Sequence, residues 1–319
     1  MYFEEVSGWG EETWEDRDVT GVAVDAHDRV YVLRRGDDPV TVLDSSGTVV
    51  DRWGNGCFSN RPHLISIGDD EKIYIADDGG HRVFVFDRTG CLIETIGSGI
   101  PSVTGFDEGL PSKELAFDRM PGGAPFNRPT KAVASRTGEL FVSDGYRNCR
   151  VHRFSADRQQ VHSWGGSGAG AGCFVIPHSV ALDSEGHVLI CDRENDRIQV
   201  FSPDGELLHV WNDVQRPTDL ALDRKGYMYV TELARGPHDL KSWRLGPADQ
   251  EIPGRVTVWS PDRSIAARIG APAVEFLAPH AIAIDSTGAI YVSEVPESFA
   301  NWTGRPYRPH RCLRKFELR

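Results

Sequence analysis

The sequence predicts an all-β chain, a six-bladed β-propeller closed by its own N-terminal strand. Three observations predict it. A unit of four short strands, parted by Gly and Asp turns, recurs six times, beginning near Thr20, His63, Thr130, His178, Thr218 and His280. Apolar and polar residues alternate within the strands, the pattern of antiparallel sheet, and one such sheet cannot bury both its faces unless others stack on it. Finally, the last unit runs out after a third strand at 312–316, and its missing fourth strand is at the other end of the chain. Phe3-Glu4-Glu5-Val6-Ser7-Gly8-Trp9-Gly10 carries the same ending as Thr48-Val49-Val50-Asp51-Arg52-Trp53-Gly54 and Val161-His162-Ser163-Trp164-Gly165. Pairing it with the last unit removes an exposed sheet edge, and makes one domain of 1–319.

In chain order, the first unit opens on Thr20-Gly21-Val22-Ala23-Val24 and the second on His63-Leu64-Ile65-Ser66-Ile67. A Gly- and Pro-rich insertion, 98–125, leads to the third, Thr130-Lys131-Ala132-Val133-Ala134. Gly165-Gly166-Ser167-Gly168-Ala169-Gly170-Ala171-Gly172 follows; it lacks the Lys and Ser/Thr of a phosphate loop and reads as a flexible connection. The fourth unit is the plainest. Ser179-Val180-Ala181-Leu182-Asp183, His187-Val188-Leu189-Ile190, Arg197-Ile198-Gln199-Val200-Phe201 and Glu206-Leu207-Leu208-His209-Val210-Trp211 are its strands. The fifth and sixth units, opening at Thr218 and His280, each contain an insertion, 234–253 and 295–310. Insertions of this kind lengthen the loops on which sites are built.

The net charge of -12 argues against nucleic acid or an anionic membrane as partner, since both need a basic face. Met1-Tyr2-Phe3-Glu4-Glu5 has no basic n-region or apolar run, and no stretch approaches the ~20 apolar residues that span a bilayer. The six cysteines form no Cys-x-x-Cys pair, which fits reduced thiols in a cytoplasmic protein.

The sharpest signal is Pro-His at the head of alternate units: Pro62-His63, Pro177-His178 and Pro279-His280, with Thr20, Thr130 and Thr218 in the frame between them. In a propeller, equivalent positions of the first strands converge on the axis. Three converging imidazoles match the three-His set of a catalytic zinc site, and imidazole also suits other divalent transition metals. Proline before each His restricts the backbone and helps aim the ring. Counting on in the same frame, Arg35 lies fifteen residues after Thr20, Arg193 fifteen after His178 and Tyr146 sixteen after Thr130; Asp78, Leu233 and Val295 hold the position elsewhere. Antiparallel pairing brings these second-strand ends beside the first-strand starts. The two guanidiniums suit a carboxylate, and the phenol, between a cation and a metal, suits a base. Arg82, Arg150 and Arg197 recur in another register and read as structural; the remaining histidines share no frame.

The repeats resemble NHL repeats, and the motifs go further. Arg35-Gly36-Asp37, Pro62-His63, Asp144-Gly145-Tyr146-Arg147-Asn148-Cys149-Arg150, Ile176-Pro177-His178-Ser179, Asp192-Arg193-Glu194-Asn195-Asp196-Arg197-Ile198-Gln199 and Pro279-His280 resemble the motif set of peptidyl-α-hydroxyglycine α-amidating lyase over essentially the whole chain. The resemblance implies zinc on His63, His178 and His280, Tyr146 as base, and Arg35 and Arg193 as substrate and charge-stabilising groups. It implies C–N cleavage of a carbinolamide to an amide and an aldehyde such as glyoxylate. Ala281 stands where the family has an Asp on a structural calcium, which speaks against Ca2+ there; Ala278 replaces a Met, and Arg147 stands where a disulfide Cys is sought. Together with the cytoplasmic reading, this points to a small-molecule carbinolamide as substrate. A metal-dependent hydrolase or lactonase, and a non-catalytic interaction platform, remain the alternatives; the first would prefer carboxylate ligands, and the second leaves the His/Thr alternation unexplained.

Overall fold

The computed structural model describes residues 1–10, 18–104, 125–237, 239 and 245–319. After β1 (Phe3–Glu5), each repeat unit forms one sheet. Blade one is β2 (Val19–Val24), β3 (Val30–Arg34), β4 (Val40–Leu43) and β5 (Val49–Trp53). Blade two is β6 (Pro62–Ile67), β7 (Ile73–Asp77), β8 (Arg82–Phe86) and β9 (Leu92–Ile96). Blade three is β10 (Lys131–Ala134), β11 (Leu140–Asp144), β12 (Arg150–Phe154) and β13 (Gln160–Gly165). Blade four is β14 (Pro177–Leu182), β15 (Val188–Asp192), β16 (Arg197–Phe201) and β17 (Leu207–Trp211). Blade five is β18 (Pro217–Leu222), β19 (Met228–Glu232), β20 (Arg255–Trp259) and β21 (Ile265–Gly270). Blade six is β22 (Pro279–Ile284), β23 (Ile290–Glu294) and β24 (Leu313–Leu318), with helix α1 (Pro296–Thr303) between its last two strands. These six antiparallel sheets are the blade set of a six-bladed β-propeller.

The chain groups into two compact units. The unit running from Phe58 to Pro217 holds blades two, three and four. Its inner strands are buried on both faces, as in Ile73–Asp77 and Leu140–Asp144, whereas Leu92–Ile96 leaves most of its side chains to solvent. Tyr74, Val83, Phe126 and Phe154 fill the space between blades two and three, and Phe141, Trp164, Phe174 and Phe201 that between three and four. Burying each such side chain contributes about 1.5–3 kcal/mol.

The other unit holds blades one, five and six. There β1 pairs with β24, Phe3 opposite Leu318 and Glu5 opposite Phe316, as the repeated strand ending predicts. Phe3 meets the Tyr229 ring edge-on at 6.1 Å and joins Val256, Ile282 and Phe316 in the core. The insertion 295–310 begins with α1, whose first N–H groups, those of Glu297 and Ser298, donate to the Asp18 carboxylate at 2.9 and 3.0 Å. Most of the insertion 98–125 and residues 238 and 240–244 of the insertion 234–253 lie outside the described residues.

The turns follow from their aspartates. Asp44 accepts from the N–H groups of Ser46 and Thr48, and Gly47 supplies the left-handed φ of +90° that completes the turn. Asp87, Asp183, Asp223 and Asp285 repeat this arrangement.

One sequence expectation is corrected. The Gly/Ala/Ser connection is not a free tether, because Arg197 donates to the carbonyls of Ala169, Gly170 and Cys173, and Gly172 N–H donates to Gln199. An Arg on the neighbouring strand supplies the side-chain contacts that the connection lacks.

Candidate metal and catalytic site

Blades two, three and four bring together four of the six expected site residues. The register of β6 against β7 slips at His63: Pro62 opposes Asp77 and Leu64 opposes Ala76. The same slip falls at His178, between Pro177 opposite Asp192 and Ser179 opposite Cys191. Each His is thus the extra residue of a β-bulge, a device that re-aims a side chain out of the ladder. Proline at the strand's first position sacrifices no ladder donor. Both histidines are fully buried.

His63 Nδ1 donates to the carbonyl of Thr130 at 2.8 Å, which leaves Nε2 of the neutral ring as an acceptor. Tyr146 Oη lies 2.9 Å from His63 Nε2 and 3.1 Å from His178 Nε2, and the two imidazole centroids are 4.7 Å apart. A single phenolic proton can serve only one of those nitrogens as donor. Two ring nitrogens turned to one oxygen, with Nδ1 of His63 fixed by a backbone carbonyl, are donors that could hold a metal ion, the His63 ring being oriented from behind.

Tyr146 reaches this place through Gly145. A Cβ at Gly145 would stand 2.3 Å from the Pro177 carbonyl oxygen, so only glycine lets the loop after β11 come so close to the strand that starts His178. Tyr146 N–H donates to Arg128 O at 3.4 Å.

The guanidinium of Arg193 lies 5.7 Å from the Tyr146 ring centroid. Its Nε donates to Glu194 at 3.0 Å, and Glu194 also accepts from Arg216, so three buried ionic groups hold one another. The backbone N–H groups of Arg193 and Glu194 donate to Ile176 and Val175, which docks the Asp-Arg-Glu-Asn run beside the His178 loop. At the equivalent place in blade two, Asp78 is fully buried and takes a two-pronged ion pair from Arg61 at 2.7 and 3.0 Å. Burial works against the Arg61 charge, and the Asp78 pair outweighs it, raising the pKa. Removing Arg61 would leave that buried carboxylate without its two-pronged partner, a destabilising change.

The remaining two expected residues lie in the other unit. His280 is also the extra residue of a bulge, between Pro279 opposite Glu294 and Ala281 opposite Ser293, and its Nδ1 donates to Thr20 O at 2.7 Å. Its surroundings therefore repeat those of His63. Arg35 donates to Ser298 Oγ of α1 at 2.6 Å and lies 3.9 Å from Asp18. Leu233 and Val295 pack with Ala234, Ala278 and Phe299, so here the equivalent positions are apolar.

Sequence reasoning left the threonines without a role. Thr130 Oγ1 donates to Pro177 O and Thr218 Oγ1 to Pro279 O, each at 2.9 Å. A threonine thus fixes the residue before the next histidine, and with its own carbonyl holds the histidine of the blade before, as Thr130 does for His63. The alternation of His and Thr was the visible signal. Several other described histidines have structural partners: His152 with Asp144 and Gln160, His187 with Asp183, His162 stacked on Trp164. His238 lies outside the described residues.

The NHL repeat family matches residues 174–201. NHL repeat-containing protein 3 of Mus musculus is 30% identical over 292 residues, covering 86% of this chain and 76% of that protein. Peptidyl-alpha-hydroxyglycine alpha-amidating lyase 1 of Drosophila melanogaster is 26% identical over 307 residues, covering 90% of this chain and 51% of that one. A solved streptogramin B lyase is similar in fold over 100% of this chain and 98% of its own, with a TM-score of 0.61 and 13% identity. No helix among the described residues is long and apolar enough to cross a membrane.

Proposed function

As a chain that belongs to the NHL-repeat family, by its similarity to a protein of that name over most of both lengths, it is one for which we propose a metal-dependent lyase activity that cleaves the C–N bond of a small carbinolamide. The observation that carries this reading is the Tyr146 hydroxyl held between His63 Nε2 and His178 Nε2 with Arg193 over its ring. His63, His178 and His280 would hold one divalent ion, with Zn2+ the first choice. In support, His63 and His280 each have Nδ1 engaged by a threonine carbonyl. The all-nitrogen donor set is that of a catalytic zinc site and favours it over a carboxylate-bearing hydrolase.

The reaction converts R–CO–NH–CH(OH)–COO⁻ into R–CO–NH₂ and OHC–COO⁻. A bound divalent ion supplies Lewis-acid polarisation of the substrate oxygen. The phenolate form of Tyr146 takes the proton of the substrate hydroxyl, the C–O bond becomes C=O, and the C–N electron pair leaves with nitrogen. That proton ends on the amide nitrogen, so the site returns to its starting state. Arg35 and Arg193 hold the carboxylate and offset its charge. An amidating lyase stands among the relatives at 26% identity, which agrees with this reading.

The test is the metal content of the purified protein beside His178→Ala, followed by glyoxylate release from N-acyl-α-hydroxyglycines. About one equivalent of zinc, lost in the variant together with turnover, is the expected result. Absence of metal uptake by the wild type would overturn the reading.

A further inference from the structure

His81 lies in the loop after β7, Asp78-Gly79-Gly80-His81, and is bonded to main chain on the path to Tyr146. The Arg128 N–H donates to His81 Nδ1 at 3.2 Å. The neutral ring therefore carries its own proton on Nε2. The carbonyl of the same Arg128 accepts the Tyr146 N–H at 3.4 Å. The residues around Arg128 are tied as well: Asn127 N–H donates to Asp144 at 2.8 Å and Thr130 N–H to Ser143 O at 2.8 Å. Residues 127–130 thus form a brace between blades two and three, and the Thr130 carbonyl at its end holds His63 Nδ1.

This brace has an unusual backbone. Arg128 has a φ of +68°, a left-handed conformation that L residues rarely adopt, and the proline after it narrows the choice further. Asp144 and His81 hold two consecutive N–H groups of the brace from opposite blades. Of these two acceptors, the imidazole is the one whose accepting lone pair a proton can take. Burial comes first among the causes that lower the His81 pKa; the charges of Arg128 and Arg147 repel the imidazolium, and those of Asp144 and Asp78 attract it. Arg82, next in the chain, donates to Ser98 O at 3.2 Å. His81 is therefore neutral and accepting at pH 7 and loses its acceptor as pH falls below the ordinary imidazole value, about 6.5.

We propose that His81 is a positioning residue for Tyr146: by accepting the Arg128 N–H it fixes the peptide whose carbonyl holds the Tyr146 N–H, and protonation of the ring releases that hold. This rests on the lyase reading for what Tyr146 does and on the hydrogen bonds alone for where it stands.

The test is glyoxylate release from an N-acyl-α-hydroxyglycine by the wild type, His81→Leu and His81→Asn. Asn offers a side-chain oxygen in place of Nδ1, tolerates the φ of +53° found at this position and does not titrate. At pH 7, His81→Leu is expected to lose about 3- to 10-fold in kcat, the worth of one hydrogen bond, with KM nearly unchanged, and His81→Asn to recover most of it. The ratio of His81→Asn to wild-type kcat is expected to rise about 3- to 10-fold from pH 7 to pH 5, since the wild type alone loses its acceptor. Equal losses in His81→Leu and His81→Asn, or a ratio that stays level to pH 5, overturn the inference. If the wild type cleaves no such compound, the lyase reading fails and amide hydrogen exchange decides the placement separately. The Tyr146 N–H should then exchange about 3- to 10-fold faster in His81→Leu at pH 7 and at the wild-type rate in His81→Asn, with the amides of β15 alike in all three proteins. An unchanged Tyr146 rate in His81→Leu, or the same acceleration throughout β15, overturns it.

Discussion

The hydroxyl of Thr130 donates to the carbonyl oxygen of Pro177 at 2.9 Å, and Pro177 is the residue that delivers His178. The same threonine's carbonyl holds His63. Two ligands of the proposed site are thus tied to one buried residue that touches no substrate. Thr130→Val removes the hydroxyl and leaves Pro177 O without that partner, which costs about 1–3 kcal/mol. Zinc affinity, measured by chelator competition, should fall about 10- to 100-fold, and Thr130→Ser should restore most of it. Unchanged affinity in Thr130→Val would break the link between the threonines and the site.

Tyr146→Phe keeps the ring under Arg193 and deletes the oxygen between the two imidazoles. The expected outcome is a loss of about 10²- to 10⁴-fold in kcat with zinc stoichiometry intact. Retained turnover would remove Tyr146 from the role of base.

Gly145→Ala places a methyl group 2.3 Å from the Pro177 carbonyl oxygen, where the neighbour is backbone and cannot swing away. Overpacking of this kind costs about 1–3 kcal/mol. Thermal unfolding should show the loss, and kcat should fall with it, because the displaced loop carries Tyr146.

The turn aspartates set the acid limb of stability. Side-chain hydrogen bonds from Ser46, Thr89 and Ser260 lead the causes that hold Asp44, Asp87 and Asp262 below the usual carboxylate range. At Asp25 burial pushes upward, and the hydrogen bonds from Arg29 and His27 outweigh it. A carboxylate depressed in the folded state stabilises above its unfolded value, about 3.9, and loses that contribution as pH falls through its folded value. Denaturant midpoints should therefore hold between pH 7 and 5 and drop on going to pH 3. A midpoint that stays level down to pH 3 would contradict the assignment.

Thiol reactivity separates surface from core. Cys57 and Cys91 are exposed, whereas burial pushes the Cys149 thiol up to about 12. Iodoacetamide at neutral pH should modify Cys57 and Cys91 quickly and leave Cys149 untouched until the protein is denatured, as peptide mapping would show.

Much of this architecture was legible because each repeat states its own turns. Asp and Gly at fixed places give strand ends without any long-range information, and Trp9-Gly10 matched Trp53-Gly54 closely enough to assign β1 to the last blade. The site was legible only as a frame. Pro-His named the proposed ligands, but the bulge at His63, His178 and His280 is a matter of register between strands, invisible in one strand alone. Thr130 was seen and not understood, since its two bonds run to residues 67 and 47 positions away. Helix α1 was hidden in an insertion, and its Ser298 against Arg35 depends on tertiary packing.

The Gly-Ala connection after blade three has a further consequence. A segment whose side chains are almost all hydrogen or methyl has no means of specifying its own conformation, so its shape is written in another part of the chain, in the guanidinium of Arg197. Its local opening free energy is then set in large part by residues outside it, Arg197 and Gln199 among them. Arg197→Ala would leave residues 165–172 unchanged in sequence yet make them a cleavage site for elastase, and the rate of that cut would be a gauge of how firmly blade four keeps its neighbour's strap closed.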